Sequence, residues 1–285
     1  MGVAIIGSTV RDVVHLPGRA PVRSTGGSPL FAARALADLG VRPGIATRCD
    51  DPALAAPIAE LASPLCLHID ATVVQSELRY REDGERDHTL TGLGEIWSED
   101  DITGWAAPAV RHASWVHAGT QVGGDLGPEV LAALAAGGRG VALDAQGPLR
   151  RRQTGPLVLS GTLDADLLRH VQALKLSEHE ALAAYGTIDA GAIRALCEVP
   201  EVLVTFGEFG AAISSDGGSG QVSAKAVSDV DPTGAGDAFL AGYAHARAGG
   251  IAPLGAGQAA CERVSAQLAA RARAASQAPA QSAPS

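Results

Sequence analysis

The stretch DPTGAGDAFLAGY, residues 231–243, sets three small residues between two acids and then runs at once into an apolar helix. Small residues let a backbone approach a ligand closely, and a helix start presents free N–H groups to it. Gly234, Ala235 and Gly236 therefore read as an anion-binding helix N-terminus, with free amides at the positive end of the dipole. Asp237 falls in the first turn of that helix. It is either a carboxylate favoured there by the dipole or a base held beside a bound anion. Asp231 reads as a turn or capping residue.

Working outward, VAII (residues 3–6) is a short apolar run ending at Gly7, as a buried parallel strand would be. Asp12 lies just past the expected end of that strand, where open α/β sheets bind ligands, although a turn carboxylate fits the same position. Gly26 and Gly27 directly precede a helix that Ser28 can cap, that Pro29 suits in its first turn, and that Gly40 stops. PGIATRC (residues 43–49) reads as the next strand and residues 50–61 as the next helix.

The texture changes over residues 67–97, where apolar and polar residues alternate and Asp83-Gly84 suggests a hairpin turn. An antiparallel patch inserted in a βα chain serves as a lid or an interface, and a homodimer through it is one expectation. After it the βα rhythm resumes, with strands at ASWVHAG, GVALDAQG and VQALKLS, and two more in EVLVTFGEFGAAISS around a glycine turn. Helices fill most of residues 234–274. Strands alternating with helices predict a mostly parallel, doubly wound sheet, one α/β domain over residues 1–274. The Ala/Pro/Ser-rich residues 275–285 read as a solvated, disordered tail.

Composition narrows the function classes. The chain has 285 residues, 46% apolar and 19% charged, which is a globular and soluble balance. A net charge of −9, with only Lys175 and Lys225 as lysines, argues against nucleic acid or an anionic membrane as a partner. It leaves room for a small anionic ligand, because backbone amides bind phosphate without lysine. Four scattered cysteines without a C-x-x-C pair, and no basic leader at the N-terminus, point to a cytoplasmic protein with reduced thiols. No apolar run approaches the ~18 residues that span a bilayer.

Several chemistries are excluded. Neither lysine is followed by Ser or Thr, so no Walker loop exists, and no G-x-G-x-x-G follows the first strand. There is no H-E-x-x-H and no G-x-S-x-G, and the histidines show no metal-ligand spacing. The absent fingerprint disfavours a dehydrogenase. TFGEFG, residues 205–210, offers a strand end with a hydroxyl and glycines, a place suited to a nucleotide.

The order of these motifs resembles the ribokinase, or PfkB-type carbohydrate kinase, family over nearly the whole chain. GSTVRD resembles the family's first-strand segment, and Asp12 matches the aspartate that binds substrate hydroxyls. GGSPLFAARALADLG resembles the first signature, with Gly26 and Gly27 at the substrate. The segment 67–97 falls where the family carries its lid. LKLSEHEA is similar to the N-x-x-E segment, which acts through magnesium and phosphate, and Glu180 matches its acid. VTFGEFG resembles the T-x-G-x-x-G nucleotide segment, assigning Thr205, Gly207 and Gly210. DPTGAGDAF matches the second signature, in which Gly234, Ala235 and Gly236 form the anion hole and Asp237 is the catalytic base.

The resemblance implies ATP as phosphoryl donor, Mg2+ as cofactor, and a sugar, cyclitol or nucleoside as acceptor. The texture of DAQGPLR and ASWVHAG is similar to an inositol-kinase-like branch. The chain also departs from the pattern. Phe31 stands where the first signature usually has Asn, Ser177 where N-x-x-E has Asn, and Pro232 where the second signature has Thr. These departures raise the alternative of a ligand-binding member that has lost turnover. In some relatives the acid matching Asp231 helps hold a monovalent cation with C-terminal residues, a site that the short alanine-rich C-terminus does not support.

Overall fold

Val3, Ala4, Ile5 and Ile6 are all buried on β1 (Val3–Ser8), as a strand covered on both faces requires. The computed structural model describes residues 2–82, 86–160, 162–228 and 230–277. After β1 the strands run, in chain order, β2 (Val10–His15), β3 (Val22–Gly26), β4 (Gly44–Cys49), β5 (Leu65–Ile69), β6 (Val74–Tyr80) and β7 (Arg86–Gly92). Then come β8 (Trp115–Ala118), β9 (Gly140–Asp144), β10 (Gly155–Pro156), β11 (Ala173–Ser177), β12 (Glu201–Thr205), β13 (Ala211–Ser215) and β14 (Gly218–Val222).

The large sheet has the order β14-β13-β12-β11-β9-β8-β1-β4-β5. It is parallel from β12 through β5, and β13 and β14 extend it antiparallel at one edge. Neighbouring residues of β1 point to opposite faces, which builds two cores. Ile5 packs with Leu30, Leu36, Phe239 and Tyr243, whereas Ile6 packs with Leu131, Leu134 and Leu143 on the other side. Helices Ser28–Ala37 and Ala235–Ala248 thus share one face, and helix Pro128–Ala135 lies on the other. The doubly wound α/β architecture is the one expected.

The smaller sheet, β10-β7-β6-β2-β3, is mostly antiparallel, with β2 and β6 running parallel. Its composition differs from the expectation in a way that matters for the site. The alternating segment 67–97 is divided, because Leu65–Ile69 closes the edge of the large sheet and only β6 and β7 enter the small one. The other strands come from residues 10–26, since β2 follows β1 after Thr9 alone and carries the chain straight from one sheet to the other. Asp12 is therefore a strand residue opposite Ser76, and not a loop residue beyond a strand.

Other differences are local. The helix at Ser28–Ala37 is capped by Gly27, at φ 98, with no side-chain cap, so Ser28 is released for another partner. The last helix, Pro253–Gln277, extends into the segment expected as a tail; residues 278–285, like the turn at Asp83-Gly84, lie outside the described residues. The four cysteines are free thiols. No described helix is long and apolar enough to cross a membrane.

Candidate active site

The chain leaves β1 toward β4 and β5 in one direction and returns to β8, β9, β11 and β12 in the other, so the strand order reverses between β1 and β8. Ligands of open α/β sheets bind outside the carboxyl ends of strands at such a reversal. There, His117 sits near the end of β8, Asp144 ends β9, Lys175 lies near the end of β11, and Thr205 ends β12. Helix Ala235–Ala248 starts against this edge.

The glycine segment is built as its sequence suggests. Gly234 caps the helix at φ 81, the left-handed region that glycine enters at low cost. The Ala235 N–H is taken up by Pro232 O at 2.9 Å, whereas no backbone acceptor engages the Gly236 or Asp237 N–H among the described residues. A Cβ on Gly236 would come within 2.9 Å of Lys175 Nζ. Asp231 is the turn residue it promised to be, accepting from the Thr233 N–H at 3.0 Å and the Thr233 hydroxyl at 2.6 Å.

Two cavities meet at Asp237. The larger, about 450 Å³, is lined by Asp144, Lys175, Glu180, Thr205, Gly207 and residues 232–237. The smaller, about 90 Å³, lies between the large sheet and the small one, lined by Asp12, Gly27, Phe31, Ser76, His88 and Gln121 among others. Arg86, Gln146, Thr233, Gly234 and Asp237 line both. A hollow of about 580 Å³ lies at the amino-terminal edge of the sheet, beside Gln172 and Pro200, away from all of these groups.

Electrostatics single out Asp237. Burial, and then the charge of Asp144, raise its pKa from 3.8 to about 6, against the opposing pull of Ser28, Lys175 and Arg150. A carboxyl poised there exchanges a proton near neutrality. Lys175 Nζ donates to both Asp144 oxygens, at 3.2 and 3.1 Å. Burial opposes its charge, but Asp144 and Glu180 prevail and its pKa is raised. Glu180 is spoken for in part. Its Oε2 accepts from the Ser177 N–H at 2.7 Å in a capping box on helix Glu178–Tyr185, which explains a Ser at 177.

In the smaller cavity, Ser76 donates to Asp12 Oδ1 at 2.5 Å. Burial outweighs this bond, so the Asp12 pKa is raised. His88 Nε2 is buried with no hydrogen-bond partner among the described residues, and burial plus Arg150 and Arg86 lower the His88 pKa to about 4. The ring is neutral at physiological pH. Arg86 is held over the glycine segment by a 2.8 Å bond to the Thr233 hydroxyl, which ties the small sheet to the helix start.

The expected residues thus mostly converge. Asp237, Gly234, Ala235, Gly236, Thr205, Gly207 and Glu180 line the larger cavity, and Asp12, Gly27 and Phe31 the smaller. Two glycines do not line either. A Cβ on Gly26 would fall 1.9 Å from Asp12 Oδ2, so Gly26 makes room for that carboxylate. Gly210, at φ 99, is pressed against Val222 O and belongs to the turn into β13. Sequence reasoning passed over Asp144, Lys175, Arg86, Arg150, Gln146 and His117. Charged residues at the ends of the apolar runs VALD and ALKLS were the available signal for the first two.

Comparison with known proteins agrees with this geometry. Residues 154–281 match the model of the pfkB family carbohydrate kinases. Inositol 3-kinase of Oryza sativa subsp. japonica is 31% identical over 253 residues, covering 84% of this chain. The match spans 61% of the rice protein, so the chain accounts for under two thirds of that relative's length. Among solved structures, a pyrophosphate-dependent kinase in the ribokinase family, complexed with a pyrophosphate analog and myo-inositol, superimposes with a TM-score of 0.79 at 20% identity. That superposition covers 93% of this chain and 94% of the other. Arabidopsis thaliana ribokinase, complexed with ribose and ATP, gives 0.65 at 23% identity, covering 88% and 87%. Such identities show a shared ribokinase-like fold.

Proposed function

On the match of residues 154–281 to the pfkB family of carbohydrate kinases, we propose that this chain belongs to that family and transfers a phosphoryl group to one hydroxyl of a small polyol, with a cyclitol as the favoured class. The observation that carries this reading is the meeting of two cavities at one partly buried carboxyl, Asp237. Asp237 takes the proton of the acceptor hydroxyl as its oxygen attacks the terminal phosphorus of the donor, and the donor's remaining phosphate leaves. A base near pKa 6 is largely ionised at neutral pH yet accepts a proton without a large penalty. The amides at Gly236 and Asp237, with the helix dipole, receive the charge of the transferred group. Lys175 and Arg86 add positive charge from two sides of the same cavity.

The donor is ATP in this reading, with Thr205 and Gly207 along the larger cavity and Gly210 shaping the turn beside them. No described cluster of three or more His, Cys, Asp or Glu side chains could hold a metal by itself. Magnesium needs only one or two carboxylates when phosphates and water complete its shell, and Glu180 is the carboxylate available for this. When bound, the ion would neutralise donor phosphate charge.

The acceptor side favours a single ring of hydroxyls. Its volume is small, and Asp12, Ser76, His88, Gln121 and Gln146 offer polar partners around an apolar surface made by Phe31, Val10 and Leu78. The C–H face of a cyclitol fits that surface, whereas a sugar hydroxyl placed there would be left unpaired at a cost of ~1–3 kcal/mol. The inositol named for both the rice relative and the structural neighbour supports this class. Pyrophosphate is the second reading for the donor, favoured by the same neighbour. A matrix of ATP or pyrophosphate against myo-inositol, ribose and a nucleoside, followed by phosphorus NMR, tests both. Product from inositol is expected; no product from any pair would leave a ligand-binding member without turnover.

A further inference from the structure

Ser28 stands at the start of its helix yet caps nothing, and its hydroxyl lies instead 2.6 Å from His117 Nε2. The same nitrogen is 4.0 Å from Asp237 Oδ1, and Ser28 lines the smaller cavity beside Asp237, where its hydroxyl lowers the pKa of that carboxyl. His117 is wholly buried, and its Nδ1 has no hydrogen-bond partner among the described residues. From this geometry we infer that His117 and Ser28 are positioning residues, a buried relay that aims the Asp237 carboxylate.

The direction of the relay follows from the orphaned nitrogen. With the proton on Nε2, only a lone pair is left bare at Nδ1, whereas the other tautomer would strand an N–H, the costlier loss. His117 Nε2–H then donates to Ser28 Oγ, which leaves the Ser28 hydroxyl proton free to turn toward the Asp237 carboxylate. One donor thereby orients the next, so the serine proton points at the carboxylate and not back at the ring. His117 remains neutral, because burial lowers its pKa to about 4. It therefore orients the serine without becoming a proton acceptor.

The site is built tightly around this pair. A Cβ on Gly119 would fall 1.9 Å from Ser28 Oγ and 3.0 Å from His117 Nε2, so a glycine at 119 seats both side chains. The other groups that act on Asp237 are Asp144 from β9, which raises its pKa, and Lys175 from β11 and Arg150, which lower it. Arg86 lines the same cavities from β7, and Glu180 acts on Lys175 and Arg150 from its helix.

This inference rests on Asp237 being the base, and its test separates the two. Steady-state kinetics of Ser28→Ala across pH, with melting curves to verify folding, should show the acid limb of kcat moving up by about one pH unit. The loss in kcat should be about five-fold at pH 6 and approach ten-fold by about pH 5, with KM for both substrates within about two-fold. An acid limb at the parent position overturns the relay, and so does a raised acceptor KM with an unmoved limb, which would make Ser28 a substrate contact. His117→Gln keeps an N–H donor toward Ser28 and should hold the limb nearer the parent than His117→Leu does; equal shifts in both also overturn it. If Asp237→Asn retains full turnover, the base assignment itself falls. An inactive Asp237→Asn beside an unmoved limb in Ser28→Ala removes the relay alone.

Discussion

The Phe31 ring packs across the α-carbon of Gly234, so closely that a Cβ built on Gly234 would lie 2.4 Å from it. One residue lines the smaller cavity and the other caps the helix whose start lines the larger. On the proposed function, their contact would join acceptor specificity to the shape of the glycine turn. Gly234→Ala should therefore strain the turn, at φ 81, and push the ring aside together. We expect kcat to fall at least ten-fold in a variant that still folds, and the KM for the acceptor to rise. A folded variant with unchanged kinetics would remove Gly234 from the site.

Phe31→Asn tests the other side of that contact. The amide can donate and accept, where the phenyl ring can do neither. The ranking of acceptors should shift toward ribose, with the melting temperature nearly retained because Phe31 is only partly buried. A loss of ~3 kcal/mol or more with the ranking unchanged would identify Phe31 as a packing residue only.

Asp237→Asn should lower kcat by ~10²–10⁴ and leave the donor KM within a few-fold, the usual share of a positioned base. In the parent enzyme the acid limb of kcat/KM should fall near pH 6, where the free Asp237 titrates. Turnover that stays flat down to about pH 4 would exclude a carboxyl so placed.

The same substitution should change stability with a definite sign. The pKa of Asp237 is raised in the folded chain, which therefore holds this proton more tightly than the unfolded chain does. Its contribution weakens stability as pH rises from about 4 to about 6, and the cost persists above that. Asp237→Asn should melt higher than the parent at neutral pH, and the gap should shrink toward pH 4. A gap independent of pH would mean that the carboxylate is well solvated.

Gly210→Val discriminates a structural glycine from a nucleotide contact. Its Cβ would meet Val222 O at 2.0 Å, with φ 99 unfavourable for any side chain. We expect a large drop in melting temperature and soluble yield. A well-folded variant with only the donor KM raised would return Gly210 to the binding site.

The sequence by itself determined the parallel sheet, the two helices around the glycine segments and the acid that follows residues 234–236. These are local signals. An apolar run sets a buried strand, and glycines before a helix expose its amides, whatever else the chain does. Tertiary structure alone decided which side chains meet there. Ser28 looked like a cap, but Gly27 took that position and released the serine to His117, 89 residues away in the chain. Asp12 looked like a loop acid, but β2 runs on into the second sheet and sets it opposite Ser76. Lys175 and Asp144 were passed over in the sequence, and only the adjacency of β9 and β11 pairs them beside Asp237. Contacts between distant strands depend on sheet order, and sheet order is fixed by how the whole chain packs its two faces rather than by any single stretch.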